Sequence, residues 1–135
     1  MNQLTMIKTS NRILVVDDDP DIGMMLKIML EFHGYSVDVT TKAITAEDIM
    51  KAGDFNLLIM DMLLSGVNGI DICARIKKDE QLSSLPVIMI SAHPNAKEIC
   101  LNAGADDFVS KPFDMEELLS KSSQFATPQN QNNSN

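Results

Sequence analysis

The sequence is poor in aromatic residues, with no tryptophan, one tyrosine and five phenylalanines among 135 residues. Its core must therefore be built from isoleucine, leucine and valine, together with ten methionines, whose flexible side chains fill irregular gaps. The length suits one ordinary domain, so we expect no second, output domain. A layered packing of helices on a sheet suits this composition.

Positive charge is also scarce, because 11 lysines and arginines stand against 19 acidic residues, a net charge of −8. Binding to nucleic acid or to an anionic membrane needs clustered basic residues, so this balance argues against both as direct partners. A cation or a basic protein surface fits better. No apolar run approaches the length that spans a membrane, and we expect a cytoplasmic protein.

Two kinds of site are missing from the sequence as well. There is no glycine-rich phosphate loop, and no cysteine and histidine spacing typical of a metal site. Cys73 and Cys100 both fall in helical patterns, and we interpret them as reduced residues of the core. These absences exclude a zinc site and a nucleotide-binding loop from the candidate functions.

What the sequence does contain is a regular alternation of strand and helix patterns. Predicted strands cover Arg12–Val16, Ser36–Thr40, residues 56–60, residues 86–90 and Asp107–Ser110. Predicted helices cover residues 20–33, 42–52, 67–78, 95–103 and 114–124. This alternation predicts a three-layer α/β fold, in which five parallel strands are covered by helices on both faces.

The ends of the chain differ from this pattern. We expect residues 1–10 to be an N-terminal extension, residues 11–125 to be the domain, and residues 126–135 to be a disordered, Asn- and Gln-rich tail. At the start of the first helix, Asp19 can cap the helix and Pro20 occupies the first helical position.

Polar residues stand at the ends of four predicted strands. Asp17 and Asp18 end the first, Asp61 the third, Ser91 the fourth and Lys111 the fifth. In an open parallel sheet the ligand site lies beyond the carboxyl ends of the strands, where the strand order reverses. If the order is 2-1-3-4-5, the three acids share one crevice with one lysine. Carboxylates about 4 Å apart repel by roughly 1 to 4 kcal/mol, so we expect a divalent cation, most simply Mg²⁺, between them.

Four segments together resemble the receiver domain of two-component response regulators: ILVVDDDPDI, LLIMDMLLSGVNGIDICARIK, PVIMISAHP and AGADDFVSKPF. The resemblance spans residues 11–124 and implies the doubly wound, flavodoxin-like form of the fold. It implies a stand-alone phosphoacceptor, similar to the chemotaxis regulator, that is not an enzyme acting on other substrates. The phosphoryl donor would be a sensor histidine kinase or a histidine phosphotransfer protein. The output would go to an unknown downstream protein, from a monomer or a weak phosphorylation-dependent dimer.

The resemblance also implies roles for the acids at the strand ends. Asp61 would be the phosphoacceptor and a Mg²⁺ ligand, Asp18 a direct Mg²⁺ ligand, and Asp17 a ligand through water. The backbone carbonyl of Leu63 would be a further ligand.

Three more residues receive roles from the resemblance. Lys111 would pair with the carboxylate and later with the phosphoryl group, and Ser91 would hydrogen-bond a phosphoryl oxygen. Phe108 would be the aromatic residue that changes rotamer on activation. Pro112 would follow a cis peptide bond.

The sequence departs from the family in the loop after Asp61. Leu64 and Ser65 stand where the family commonly has Met-Pro, so we expect a less rigid loop. Leu63 and His93 occupy the two variable positions that influence the lifetime of the phosphoryl group in this family.

Two other interpretations are open at this point. A receiver-like module could bind partners without phosphorylation, although such a module has no reason to keep the acids, the serine and the lysine together. A haloacid-dehalogenase-type phosphatase places its nucleophile and a second acid two residues apart, as Asp17 and Asp19 stand. Asp21, however, occupies a position where that family has threonine or valine, and the chain is short for its cap domain.

Overall fold

A computed structural model describes residues 11–64 and 66–126 of the chain. Its strands are β1 Arg12–Val16, β2 Ser36–Thr40, β3 Leu57–Asp61, β4 Leu63–Leu64, β5 Val67–Asn68, β6 Val87–Ser91 and β7 Asp107–Ser110. Its helices are α1 Pro20–Phe32, α2 Ala46–Ala52, α3 Gly69–Lys78, α4 Ala96–Asn102 and α5 Met115–Phe125, and a short 3₁₀ helix at Ala43–Thr45 precedes α2.

Five of these strands form one parallel sheet in the order β2-β1-β3-β6-β7. When only these five strands are numbered along the chain, leaving out the short β4 and β5, the order is the predicted 2-1-3-4-5. Strands β3 and β6 are buried along their whole length, because helices cover both faces of the sheet. The predicted three-layer, doubly wound fold is confirmed.

The hydrophobic core has two parts, one on each face of the sheet. Buried side chains of α2, α3 and α4 pack on one face, and those of α1 and α5 pack on the other. The aliphatic residues and methionines that the composition required supply nearly all of both parts. The two cysteines lie in the first part with free thiols, and burial raises the pKa of each to about 11. Both thiols are thereby kept in the unreactive protonated form.

The first helix begins as its sequence predicts. The Asp19 side chain accepts the backbone N–H of Asp21, and Pro20 occupies the first turn. At the other end of the helix, the chain turns through Gly34, which has a φ of 98°. Glycine adopts this left-handed conformation without the steric penalty that other residues incur.

The predicted boundaries are wrong at several points. Strands β3 and β6 end one residue later than predicted, because pairing continues to Asp61 and Ser91. Residues 67 and 68, predicted as the start of a helix, form β5 instead and pair with β4 across a tight turn. Gly66 has a φ of 75° in that turn, and Asn68 caps α3 by accepting the N–H of Ile70. Residues 42–45 precede α2 as a turn and a short 3₁₀ helix instead of belonging to it.

The ends of the chain are only partly described. The predicted extension, residues 1–10, and residues 127–135 of the predicted tail lie outside the described residues. Ala126, which the sequence assigns to the tail, is 1% exposed and packs in the core beside α5. Among the described residues, no helix is long and apolar enough to cross a membrane.

Candidate functional site

The site lies where β1, β3, β6 and β7 end at the carboxyl edge of the sheet. Asp17 follows β1, Asp61 ends β3, Ser91 ends β6 and Lys111 follows β7. Because β1 and β3 are direct neighbours, as are β3 and β6, the parallel register brings these side chains to one place. The site therefore follows from strand order and from the position at which each apolar run stops.

Three carboxylates meet in this crevice. Asp17, Asp18 and Asp61 each offer a carboxylate oxygen, and these oxygens all lie within 4.8 Å of one another. Asp17 is 1% exposed and Asp61 is 7% exposed, so two of the three charges are held largely away from water. Like charges so close together are unfavourable unless a cation joins them.

Lys111 supplies one positive charge to the crevice. Its Nζ donates to Asp61 Oδ2 at 2.6 Å and to Asp17 Oδ2 at 3.4 Å. Burial lowers the pKa of Lys111, but the hydrogen bond to Asp61 and the charges of the two acids outweigh burial, and the net pKa is raised. Lys111 is therefore protonated at neutral pH and binds Asp61 more closely than Asp17.

The remaining oxygens of these two acids are held by backbone groups. Asp17 Oδ1 accepts the N–H of Asp19 at 2.9 Å, and Asp61 Oδ1 accepts the N–H of Leu63 at 3.1 Å. Burial, with the nearby Asp61 charge adding to it, still raises the pKa of Asp17. The carboxylates are thus fixed in orientation, while the cost of burying the Asp17 charge is only partly offset.

The donor set fits a hard divalent cation. Mg²⁺ takes oxygen ligands and is usually held by one or two carboxylates with water and phosphate oxygens, which matches a cluster made only of acids. Asp17, Asp18 and Asp61 are the side chains that could hold such an ion. Leu63, whose carbonyl the resemblance makes a fourth ligand, stands two residues after Asp61 and has an exposed side chain.

A cleft of about 390 Å³ opens in front of Asp61. Its walls are Asp61, Leu63, Ser91, Ala92, His93 and Lys111. The Ser91 hydroxyl accepts the N–H of His93 at 3.0 Å, which leaves its own O–H available to donate into the cleft. His93 Nδ1 accepts the N–H of Asn95 at 3.2 Å, so the ring is fixed at the rim of the cleft. The predicted residues that line the cleft are therefore arranged around the Asp61 carboxylate.

Phe108 lies apart from the cleft. Its side chain is 8% exposed and packs in the core on the side of α2, α3 and α4. It stands on β7 three residues before Lys111, and the Lys111–Pro112 peptide bond is cis, as the resemblance implied.

Sequence reasoning missed one residue that the site needs. Gly69 begins α3, and a Cβ atom at this position would lie 2.5 Å from the Asp61 backbone oxygen and 2.8 Å from that of Met62. Only glycine lets the start of α3 approach the end of β3 so closely. The glycine directly after the helix-capping Asn68 was the available signal.

Comparison with known proteins decides the family. The sequence-family model of the response regulator receiver domain matches residues 13–123, which are most of the chain. The chain belongs to the response regulator receiver family. A receiver domain is the part of a two-component response regulator that contains the phosphoacceptor.

Curated relatives agree with this assignment and are about twice as long. The chain is 35% identical to the DNA-binding dual master transcriptional regulator RpaA of Synechocystis over 112 residues, which are 82% of this chain and 46% of that protein. It is 40% identical to the response regulator RppA of the same organism over 114 residues, 82% of this chain and 48% of that protein. The receiver chain thus spans about half the length of the curated relatives it matches.

Solved receiver structures have the same fold. A response regulator from Chloroflexus aurantiacus superposes with a TM-score of 0.83 at 30% identity, covering 87% of this chain and 98% of that one. The receiver domain of the sensor histidine kinase PA1611 from Pseudomonas aeruginosa superposes with a TM-score of 0.79 at 27% identity, covering 87% and 98%. That structure has a magnesium ion coordinated in its active-site cleft.

Proposed function

We propose that this receiver domain accepts a phosphoryl group on Asp61 in a Mg²⁺-dependent reaction and then signals through protein contacts. The observation that carries the proposal is the Asp61 carboxylate, held by Lys111 at 2.6 Å and clustered with Asp17 and Asp18 at the mouth of an open cleft. A structural ion pair needs neither the extra acids nor the cleft. An acceptor of a charged phosphoryl group uses both.

The chemistry follows from the residues around Asp61. A carboxylate oxygen attacks the phosphorus of a phosphohistidine, a P–O bond forms, and the P–N bond breaks as the imidazole leaves. Lys111 neutralises charge that develops on the phosphoryl oxygens, and the Ser91 hydroxyl donates to one of them. The backbone N–H of Leu63 keeps the other Asp61 oxygen in place.

A bound Mg²⁺ would sit among Asp17, Asp18 and Asp61, with the Leu63 carbonyl as a further ligand. When bound, it supplies positive charge that draws the phosphoryl oxygens toward the carboxylates. The direct role of Asp18 and the water-mediated role of Asp17 belong to this proposal, as does the rotamer change of Phe108.

A groove beside the cleft suits the protein that donates the phosphoryl group. This groove of about 570 Å³ is mainly apolar and shares Lys111 and Ala92 with the cleft; its other walls are Ile22, Met25, Pro112, Phe113 and Met115. An apolar helix face of a histidine kinase or phosphotransfer protein, seated there, would bring its phosphohistidine to Asp61. Helix α1 also exposes the apolar side chains of Met24 and Ile28.

The remaining features of the proposal concern the chain as a whole. We place it in the cytoplasm, acting as a phosphoacceptor and not as an enzyme on other substrates. With a net charge of −8, the chain is itself unsuited to direct contact with DNA phosphates. Its output would pass to another protein surface.

The test uses a small phosphodonor, because this separates acceptance from docking. The protein is incubated with acetyl phosphate and Mg²⁺, and intact mass is measured; we expect the mass of one phosphoryl group to be added. The addition should require Mg²⁺ and disappear in Asp61→Asn. Wild-type protein that gains no mass would refute the proposal, and mass gained by Asp61→Asn would refute the residue assignment.

A further inference from the structure

The two outer strands of the sheet, β2 and β7, are each covered by a lysine from a helix. Outer strands expose backbone groups that have no neighbouring strand to pair with, and proteins commonly cover them. Lys27 of α1 donates to the Val37 carbonyl of β2 at 2.8 Å. Lys121 of α5 donates to the Phe108 carbonyl of β7, also at 2.8 Å. Both outer strands are therefore covered by the same kind of contact, a hydrogen bond from a lysine side chain to a backbone carbonyl.

Each lysine is oriented by a glutamate on its own helix. Lys27 pairs with Glu31 at 2.8 Å, and Lys121 pairs with Glu117 at 3.1 Å. Lys121 has an additional partner in Asp107, at 3.1 Å. Partial burial lowers the pKa of Lys121, but these hydrogen bonds outweigh burial and the net pKa is raised. The lysine at the β7 edge is thus charged, and both Glu117 and Asp107 hold it in place.

Asp107 also holds the other backbone group of Phe108. Its Oδ1 accepts the Phe108 N–H at 2.8 Å, while Lys121 holds the Phe108 carbonyl. Both backbone polar groups of Phe108 are therefore held by one charged cluster, which ties β7 to α5. The cluster consists of Asp107, Glu117 and Lys121.

The two outer strands differ in how they connect to the proposed site. Strand β2 ends at Thr40, and no residue of the proposed site follows it. Strand β7 contains Phe108 and ends at Ser110, and the next residue is Lys111, whose Nζ contacts Asp61. A displacement of β7 therefore moves the lysine that contacts Asp61. A displacement of β2 reaches the site by another route, through the hydrogen bond from the Asp17 backbone N–H to the Thr40 carbonyl at 3.2 Å, and does not act on Lys111 directly.

We propose, resting on the proposed phosphorylation of Asp61, that Lys121 is a positioning residue that holds β7, and with it Lys111, in the unphosphorylated arrangement. A phosphoryl group placed on Asp61 occupies the space next to the oxygen that Lys111 now contacts at 2.6 Å. In this proposal Lys111 then moves toward the phosphoryl oxygens, and the end of β7, which directly precedes it, shifts with it. The bond from Lys121 to the Phe108 carbonyl opposes that movement.

The experiment compares two matched variants, Lys121→Met and Lys27→Met, in the full chain. Each removes one lysine–carbonyl hydrogen bond and one lysine–glutamate pair at an outer strand. Lys121→Met also removes the pair with Asp107, so we expect it to lower Tm somewhat more than Lys27→Met does. The chains are titrated with beryllofluoride in the presence of Mg²⁺, and binding is followed by the amide resonance of Ser91. We expect Lys121→Met to bind roughly fivefold more tightly than wild type, a typical size for coupling between two sites. Lys27→Met should bind as wild type does.

Two further variants keep the test decisive if Lys121→Met folds poorly. Lys121→Arg retains a donor and should restore wild-type affinity, and Glu117→Gln, at a partly exposed position, should tighten binding to a smaller degree. Unchanged or weaker binding by Lys121→Met, or an equal change in Lys27→Met, would overturn the inference while leaving the phosphoacceptor proposal intact. Wild-type protein that does not bind beryllofluoride would overturn both.

Discussion

The two ends of the sheet both carry a lysine bound to an aspartate, but they use the pair differently. At the amino end, Lys77 Nζ binds Asp106 Oδ2 at 2.7 Å and also donates to the Leu85 carbonyl at 2.9 Å. The same Asp106 oxygen accepts the N–H of Val87 at 2.8 Å. One cation and one anion are matched there, and they join the end of α3 to the starts of β6 and β7.

At the carboxyl end, the Lys111 pair stands in a cluster of three carboxylates beside an open cleft. The charges are not matched one to one, and burial raises the pKa of Asp17 instead of the fold stabilising its charge. A close lysine–aspartate contact alone therefore does not mark a site. The marks are the additional like charges and the space left next to them.

The largest expected difference between the two ends is in phosphoryl transfer. Lys111→Met should lower the rate of phosphorylation by acetyl phosphate about a hundredfold, the usual loss when one donor to a developing negative charge is removed. The rate is measured from intact mass over time in saturating Mg²⁺. Lys77→Met, the matched change at the amino end, should leave the rate per folded molecule near that of wild type. Equal losses of phosphorylation rate in both variants would contradict the proposed difference between the two ends of the sheet.

The amino-end pair should matter more for stability. Asp106→Ala leaves the partly buried Val87 N–H without its acceptor and removes the carboxylate partner of Lys77, and we expect a loss of about 2 kcal/mol in the free energy of unfolding. Urea denaturation at pH 7 measures this loss. Asp18→Asn, at the carboxyl end, should change stability far less in the absence of divalent cation, since it removes one of several like charges. A larger loss in Asp18→Asn would contradict the comparison.

Glycine substitutions compare the backbone packing at the two ends. Gly69→Ala places a Cβ 2.5 Å from the Asp61 backbone oxygen, which cannot move away without disturbing β3, so we expect a loss of about 2 kcal/mol. Gly53→Ala, at the amino end, meets only the tips of the Phe55 and Arg12 side chains. Those side chains can shift, and the loss measured by urea denaturation should be smaller. The prediction fails if Gly53→Ala is the more damaging change.

The smallest expected effect is a gain in stability instead of a loss. Because the pKa of Asp17 is raised in the folded state, protonation of this acid favours folding, and that contribution is lost as pH rises through the folded-state pKa. Asp17→Asn should therefore stabilise the protein at pH 7 without divalent cation, by on the order of 1 kcal/mol. The gain should vanish below the ordinary pKa of 3.8. Thermal unfolding across this pH range measures it.

A second measurement sharpens the same prediction. Added Mg²⁺ should raise the Tm of wild type and reduce or reverse the advantage of Asp17→Asn, because a bound cation stabilises the carboxylate form. Asp106→Asn, tested as the control, should destabilise in both conditions. A destabilised Asp17→Asn in metal-free solution would show that its charge is stabilised by the fold.

The sequence predicted the positions of Asp17, Asp61, Ser91 and Lys111 because each stands where an apolar run stops. Those runs are local features, and the alternation of strands and helices restricts the order in which the strands can pair. The structure gathers these residues at one edge of the sheet, as expected. Their proposed roles remain predictions for the experiments above.

The contacts that the sequence did not predict are those between distant residues. Lys77 and Asp106 are 29 residues apart, and neither stands in a pattern that names its partner. The β4–β5 hairpin was missed because Val67 and Asn68 suit the start of a helix equally well until Gly66 turns the chain. The position of Gly69 after the capping Asn68 was a signal for a helix start, but the close approach of the Asp61 backbone oxygen is a contact that only the folded chain makes.

By itself, the sequence determined the class of fold, the strands that end in polar residues and the crowding of acids after the first strand. Those properties depend on periodicity and on neighbours along the chain. Only the tertiary structure decided which oxygen of Asp61 Lys111 binds, which lysine covers which outer strand, and how Phe108 is held by α5. The physical reason is that hydrogen bonds act over about 3 Å, and only the folded register brings distant residues that close.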